Sequence, residues 1–237
     1  MELRLHGTYL ITGASGELGR VIAPVFREAG AELVLVDWRR EEVEAQARDL
    51  GARAVVADLG RASEAERAAR LAESAGPIAG LLHLVGGFAK HAAWEAGDAL
   101  YDRLMDSNLR TLFHTVRAVL PGMVRAGDGF IASVATNLVW GQAGGAGMTL
   151  YAAAKGAVAH YLAALEREVR NQGVRVTVVF PLSSIDTPLN RQTTPQIDPE
   201  TWVDPMEVAA SLLFAATRGP RGALLEMPLV STRSSKS

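Results

Sequence analysis

The sequence contains no cysteine. Disulfides, a thiol nucleophile and thiolate-bound metals are thereby excluded, and no metal is expected. Lysine is scarce as well: Lys90, Lys155 and Lys236 stand against 21 arginines. Wherever any cation would serve the chain writes Arg, so a lysine at a particular place suggests work that a flat guanidinium does badly. No apolar run approaches the roughly 18 residues needed to span a bilayer, and the opening "MELRLHG" has no apolar signal region. No membrane partner is expected, and a cytoplasmic location is. Neither sign of charge dominates, and a net charge of −2 gives no reason to expect nucleic acid as a partner. There is no internal repeat.

What is present suits a globular enzyme-sized domain. The chain has 237 residues, 49% of them apolar and 21% charged, enough to bury a proper core. Apolar, β-rich runs alternate with Ala- and Arg-rich helical stretches. Strands are expected at 7–13, 31–37, 52–58, 78–86, 129–135, 174–180 and 222–228. Helices are expected at 17–29, 40–50, 62–74, 98–126, 151–171 and 205–217. Strands that are apolar throughout, separated by helices, indicate a parallel sheet covered on both faces. The expected fold is therefore α/β: a single doubly wound Rossmann-type domain over residues 1–230, with a seven-stranded parallel sheet and helices on both faces. The tail 231–237 reads as disordered.

In such sheets ligands bind beyond the carboxyl ends of the strands. "TGASGELG" (12–19) stands there, between the first strand and first helix. Gly13 permits a tight turn, Gly16 lets backbone approach a pyrophosphate, and Gly19 lets helix pack on strand. Backbone N–H groups of Ser15, Glu17 and Leu18 at the helix start would face phosphates. The spacing thus favours dinucleotide binding over a merely tight turn. Asp37 ends the second strand, where a carboxylate accepts ribose hydroxyls and repels a 2′-phosphate, so NAD(H) is expected over NADP(H). Arg39 and Arg40 could soften that preference, although solvated charges at a helix start are the expected reading. Asp58, followed by Leu59, ends the third strand and either touches the adenine or caps a helix.

"LYAAAKG" (150–156) places Tyr151 and Lys155 four apart in a helix-forming run. Such residues share a helix face roughly 6 Å apart, so phenol and ammonium can meet one pocket. The alternative is a surface helix in which the lysine is incidental.

"TGASGELG", Asp37, "VGG" (85–87), Asn108, "YAAAK" (151–155) and "SIDTP" (184–188) occur in this order. Over essentially the whole chain this resembles the short-chain dehydrogenase/reductase family. The resemblance implies an NAD cofactor, a small-molecule substrate and a homodimer or homotetramer. It makes Tyr151 the proton donor or acceptor, Lys155 the holder of the nicotinamide ribose, and Asn108 the anchor of a relay water. Around the cofactor it sets Val85, Gly86 and Gly87 after the fourth strand, and Pro181, Ile185 and Thr187 after the sixth, with Thr187 against the carboxamide. An ammonium about 4 Å from a phenol is worth roughly 4 kcal/mol at an effective dielectric near 20, so Lys155 is expected to lower the Tyr151 phenol toward neutrality. The family's serine position falls on Thr136; Ser133 is the poorer candidate, being inside the strand.

The chain also departs from the family. "HLVG" (83–86) lacks the usual asparagines, which leaves His83 as a packed histidine. The glycine spacing matches the longer, epimerase-like branch. "VGGF", "GMTLYAAAKGAV" and "FPLSSIDTPLNRQTTP" together look like dihydropteridine reductases, which dispense with the serine. The expected activity is hydride transfer between nicotinamide and a small carbonyl or alcohol. A quinonoid dihydropterin reductase is one alternative and an NADH-sensing regulator without turnover is another. A polar lid is expected between Ile185 and Trp202. Apolar residues Leu104, Phe113, Tyr161 and Leu165 are expected on subunit-facing helix surfaces.

Overall fold

Seven parallel strands form the sheet in the order β3-β2-β1-β4-β5-β6-β7. They are β1 (Thr8–Thr12), β2 (Glu32–Asp37), β3 (Arg53–Val56), β4 (Ile78–His83), β5 (Gly129–Val134), β6 (Val174–Pro181) and β7 (Glu226–Leu229). The computed structural model describes residues 3–140 and 145–233; part of the Gly-rich loop after β5, Lys236 and the rest of 234–237 lie outside the described residues. Of the expected tail, Arg233 meets Glu200 at 2.9 Å.

Strand side chains alternate between two cores, as the pleat requires. Leu10, Val34, Val36, Leu81, Ile131 and Val178 face helices α3 (Ala62–Glu73), α5 (Thr111–Ala126) and α6 (Thr149–Val169). Ile11, Leu33, Leu35, Leu82, Phe130 and Val179 face α1 (Glu17–Glu28), α2 (Arg40–Leu50) and α8 (Pro205–Ala216). Because the inner strands are buried on both sides, they read as continuous apolar runs in the sequence. The order reverses direction between β1 and β4. The loops leaving their carboxyl ends diverge there, and a cleft opens between them.

The helix expected at 98–126 runs through those residues, with a π-helical turn (Asp106–Arg110) inserted between α4 (Asp98–Met105) and α5. Ala- and Leu-rich composition does not show such a bulge, because the side chain of Asn108 helps to hold it. The polar segment after β6 contains a short helix, α7 (Pro188–Thr193), started by Pro188 and N-capped by Thr187. One expectation needs correction: Leu104 and Leu165 are buried within the chain, so they offer nothing to a second subunit. Phe113 stays 41% exposed and Tyr101 50%.

Candidate active site

The turn after β1 shows why glycine is required. Gly13 has φ +67°, and a Cβ there would lie 2.9 Å from the backbone nitrogen of Val85, on the loop leaving β4. A side chain would push the two loops apart and fill the mouth of the cleft. α1 starts at Glu17 with no side-chain cap. Its first N–H groups thus lack the usual intrahelical or capping partners and suit an anionic group. The buried Ser15 hydroxyl, beside them, also has no partner in the structure.

Beyond this turn lies a cavity of about 670 Å³. Of the residues expected to bind cofactor, it gathers Gly13, Gly16, Asp37, Asp58, Leu59, Val85 and Gly86. Asp37 is buried and accepts the Ser15 N–H at 3.1 Å. Burial acts to raise its pKa, but hydrogen bonds from Arg39 and Ser15 and the Arg39 charge outweigh it and hold the carboxyl below its usual range. Asp58 is not a helix cap, since α3 has Arg61 at that position. Its carboxylate instead closes the turn, accepting the Gly60 N–H at 3.0 Å, at the cavity edge.

Sequence reasoning missed several lining residues: Trp38, Arg61, Arg103, Ser107 and Thr111. Arg39 also lines the cavity, and it was considered only as a charge that could soften the cofactor preference. The reading of Arg39 as a solvated charge fails, because it pairs with the buried Asp37; that of Arg40 holds, because it forms an exposed i,i+4 pair with Glu44 at 2.8 Å.

The second group of side chains lies past Gly86. The π turn buries Asn108, whose amide donates to the carbonyls of Gly87 at 3.0 Å and Leu104 at 2.9 Å. These bonds aim its Oδ1 away from the helix, buried and without a partner. A Cβ on Gly86 would lie 2.9 Å from that oxygen and 3.1 Å from Lys155 Nζ. One small volume, kept open by a glycine, is thus bounded by an acceptor seeking a donor and by an ammonium. π turns of this kind recur where a helix must present a functional side chain. Lys155 Nζ donates to Val134 O at 3.0 Å, which fixes it at the end of β5.

Tyr151 stands one helical turn before Lys155. Its ring meets Phe88 edge-to-face at 4.9 Å, a contact the sequence did not suggest. The phenol is pushed above its ordinary range by burial, while the adjacent Thr136 hydroxyl pulls the other way. The expected lowering by Lys155 is therefore corrected: desolvation is the larger effect and the ammonium does not counter it. Thr136 caps the short helical turn Asn137–Val139 and donates to Asn137 Oδ1 at 3.0 Å. Ser133 is buried inside β5 and donates to the His83 carbonyl at 2.7 Å, away from the phenol.

His83 is the packed histidine expected. Its ring bridges Thr12 Oγ1 at 2.9 Å and Thr111 Oγ1 at 3.2 Å, and burial plus the Lys155 charge push it down to about 3, so it is neutral. It ties β1, β4 and α5 together beneath the site.

Pro181, Ile185 and Thr187 leave the end of β6 on the far side. Ile185 pairs with Val203 in an isolated parallel bridge, which pins both ends of the intervening segment. The Thr187 hydroxyl accepts the Asn190 N–H at 3.3 Å, and Asp186 pairs with Arg191. Glu17, expected at the cofactor, accepts the Leu189 N–H at 2.9 Å and ties α7 to the start of α1.

Lys155 gives a pH test of this geometry. Burial lowers it to about 8, against about 10.4 for an unfolded lysine. Between these values the unfolded chain binds more protons, so stability rises with pH through this window and is lost as pH falls toward 8. The side chain keeps some contact with the cleft, so the gain is on the order of 1–2 kcal/mol rather than the full shift. Urea unfolding at about pH 8 and pH 9.5, below the range of the tyrosines, should show the rise. Lys155→Met should flatten it; an equal rise in that variant would assign the titration elsewhere.

A family model described as short chain dehydrogenase matches residues 8–198. The chain belongs to the short-chain dehydrogenase family. Among relatives of this family, galactitol 2-dehydrogenase (L-tagatose-forming) of Cereibacter sphaeroides is 31% identical over 87% of this chain and 86% of its own. Oxidoreductase UcpA of Salmonella typhimurium is 32% identical over 86% and 80%. The fold is shared with a 7α-hydroxysteroid dehydrogenase complexed with NADH and 7-oxo glycochenodeoxycholic acid, at TM-score 0.85, 24% identity and 99% and 97% coverage. A metagenomic short-chain oxidoreductase in complex with NADP gives TM-score 0.81 at 23% identity, covering 96% and 98%. As a short-chain dehydrogenase the chain is an oxidoreductase that uses a nicotinamide cofactor and a small-molecule substrate. Among the described residues, no helix is long and apolar enough to cross a membrane.

Proposed function

We propose that the chain is an NAD(H)-dependent oxidoreductase of small carbonyl or alcohol substrates, with Tyr151 as general acid and base. The observation that supports this reading is the small volume beyond Gly86, bounded by Lys155 Nζ and the orphaned Asn108 oxygen, with Tyr151 one helical turn before Lys155 and beside Thr136. A bound nicotinamide dinucleotide supplies or takes up the hydride. Gly13, Ser15, Gly16 and Leu18 would hold its phosphates, Asp37 its adenosine ribose and Lys155 its nicotinamide ribose. Glu17 stands at the same helix start, and Thr187 would meet the carboxamide once its own capping bond opens.

Burial keeps the Tyr151 phenol protonated at neutral pH, so its Oη is charged with the proton that a reduced carbonyl oxygen must receive. Thr136, beside the phenol, would donate a second hydrogen bond to that oxygen once its bond to Asn137 Oδ1 opens. Lys155 Nζ and Asn108 Oδ1 bound the small polar volume kept open by Gly86. The 70 Å³ hollow on the other side of Tyr151 is lined mostly by Ala89, Ala93, Ala96, Leu100 and Leu104, which suits an uncharged substituent.

The direct test is NADH oxidation with simple ketones, acetoacetyl thioesters and quinonoid dihydropterin as substrates. Turnover of any of them supports the reading; binding of NADH with no turnover across the panel would favour a sensor. Thr136→Ala sorts the substrates further. Loss of one such donor costs about 10²–10³-fold in rate for a carbonyl, whereas a delocalised dihydropterin should lose less than about threefold.

The reading includes a cytoplasmic homodimer or homotetramer. The helices expected to pair are those at about 98–126 and 151–171; exposed Tyr101 and Phe113 lie on α4 and α5 of the first, and half-buried Tyr161 on α6, the second. Light scattering at micromolar concentration should give a mass of two or four chains, and a single-chain mass would refute the assembly.

A further inference from the structure

An ionised carboxylate offers about four lone-pair positions. All four on Asp37 are taken. Oδ1 accepts the Arg39 backbone N–H at 3.1 Å and Arg39 Nε at 3.2 Å; Oδ2 accepts the Ser15 N–H at 3.1 Å and Arg39 Nη2 at 3.3 Å. Two of these bonds come from backbone and are fixed by the fold. The other two come from one side chain, 35% exposed, which leans over the turn: its Nη2 lies 3.9 Å from where a Cβ on Gly16 would be. A ribose that bonded Asp37 through two hydroxyls would therefore compete with the guanidinium for its positions on the carboxylate. Glu42 on α2 lies close enough to influence Arg39 and offers an alternative neighbour.

We propose that Arg39 is an exchangeable gate on cofactor choice, leaving Asp37 when a ribose with free hydroxyls binds and remaining, between carboxylate and phosphate, when a 2′-phosphate binds. The inference rests on the reading of this cleft as a nicotinamide dinucleotide site. Opposite demands then fall on one side chain. An unphosphorylated ribose must break two charge-assisted bonds to reach Asp37, which weakens NADH binding. A 2′-phosphate set against an uncovered Asp37 would be repelled, but the planar fork of Arg39 can face both anions. The chain consequently accepts both dinucleotides, and its preference for NADH is modest.

The test is equilibrium binding of NADH and NADPH, followed by nucleotide fluorescence, for the wild-type chain, Arg39→Ala, Arg39→Lys and the control Arg40→Ala. Arg39→Ala should tighten NADH about threefold or more and weaken NADPH about tenfold or more, the usual scale for hydrogen bonds to charged groups. Arg39→Lys should keep part of the NADPH affinity, and Arg40→Ala should change neither constant. The additional salt dependence of NADPH binding should disappear in Arg39→Ala. Thermal unfolding verifies that the variants are folded. An unchanged ratio of the two constants in Arg39→Ala, or equal weakening of both, would overturn the gate and leave Arg39 as a clasp on the loop. Failure of the wild-type chain to bind either dinucleotide would instead overturn the reading of the cleft.

Discussion

Tyr151→Phe is expected to reduce turnover by about 10²–10⁴-fold, with NADH affinity kept within about threefold. That loss corresponds to roughly 3–5 kcal/mol of transition-state stabilisation. The substitution removes one hydroxyl and nothing else, so the edge-to-face contact with Phe88 and the packing of α6 against β6 survive. Cofactor affinity should persist because the cavity that gathers Asp37, Asp58 and Gly86 does not include Tyr151. Single-turnover rates and NADH titration of the variant separate the two quantities. Turnover near that of the wild type would remove the phenol from the mechanism. An equal loss of NADH binding would point to damage to the site rather than to a missing proton.

Lys155→Arg should be nearly as damaging, although it keeps the charge. The ammonium donates to Val134 O at 3.0 Å and lies 3.1 Å from where a Cβ on Gly86 would be. A guanidinium has three nitrogens in a rigid plane and cannot enter that space without displacing Gly86 or Asn108. Overpacking of this kind costs typically 1–3 kcal/mol of stability. Catalytic efficiency should fall about 10²-fold or more, since a misplacement of about 1 Å at a site of this kind has that effect. NADH affinity should fall with it. An unchanged rate and pH profile would show that any cation serves, and that the scarcity of lysine in this chain carries no meaning.

Both predictions depend on features of different legibility. The sequence by itself determined the layered fold, because strands buried on both faces must be apolar throughout and the helices between them must be amphipathic. It also determined the cofactor turn: Gly13 must adopt a positive φ against the backbone of Val85, and only glycine does so without strain. That Tyr151 and Lys155 lie one turn apart on one helix was legible too, since four residues along a helix is a fixed distance.

Only the tertiary structure decided what depends on groups far apart in the chain. The π turn at Asn108 is held partly by the Gly87 carbonyl, 21 residues away, so local propensity predicts an unbroken helix instead. Glu17 reaches Leu189 across 172 residues and serves α7 rather than standing free at the helix start. The Tyr151 phenol is raised because desolvation depends on everything packed around it, whereas spacing along a helix reports only one neighbour. Arg39 reads as an ordinary surface charge until β2 buries Asp37 beneath it. A sequence records covalent neighbours and periodicity, and so yields elements and faces. Burial and the competition for lone pairs arise only when those faces are packed together.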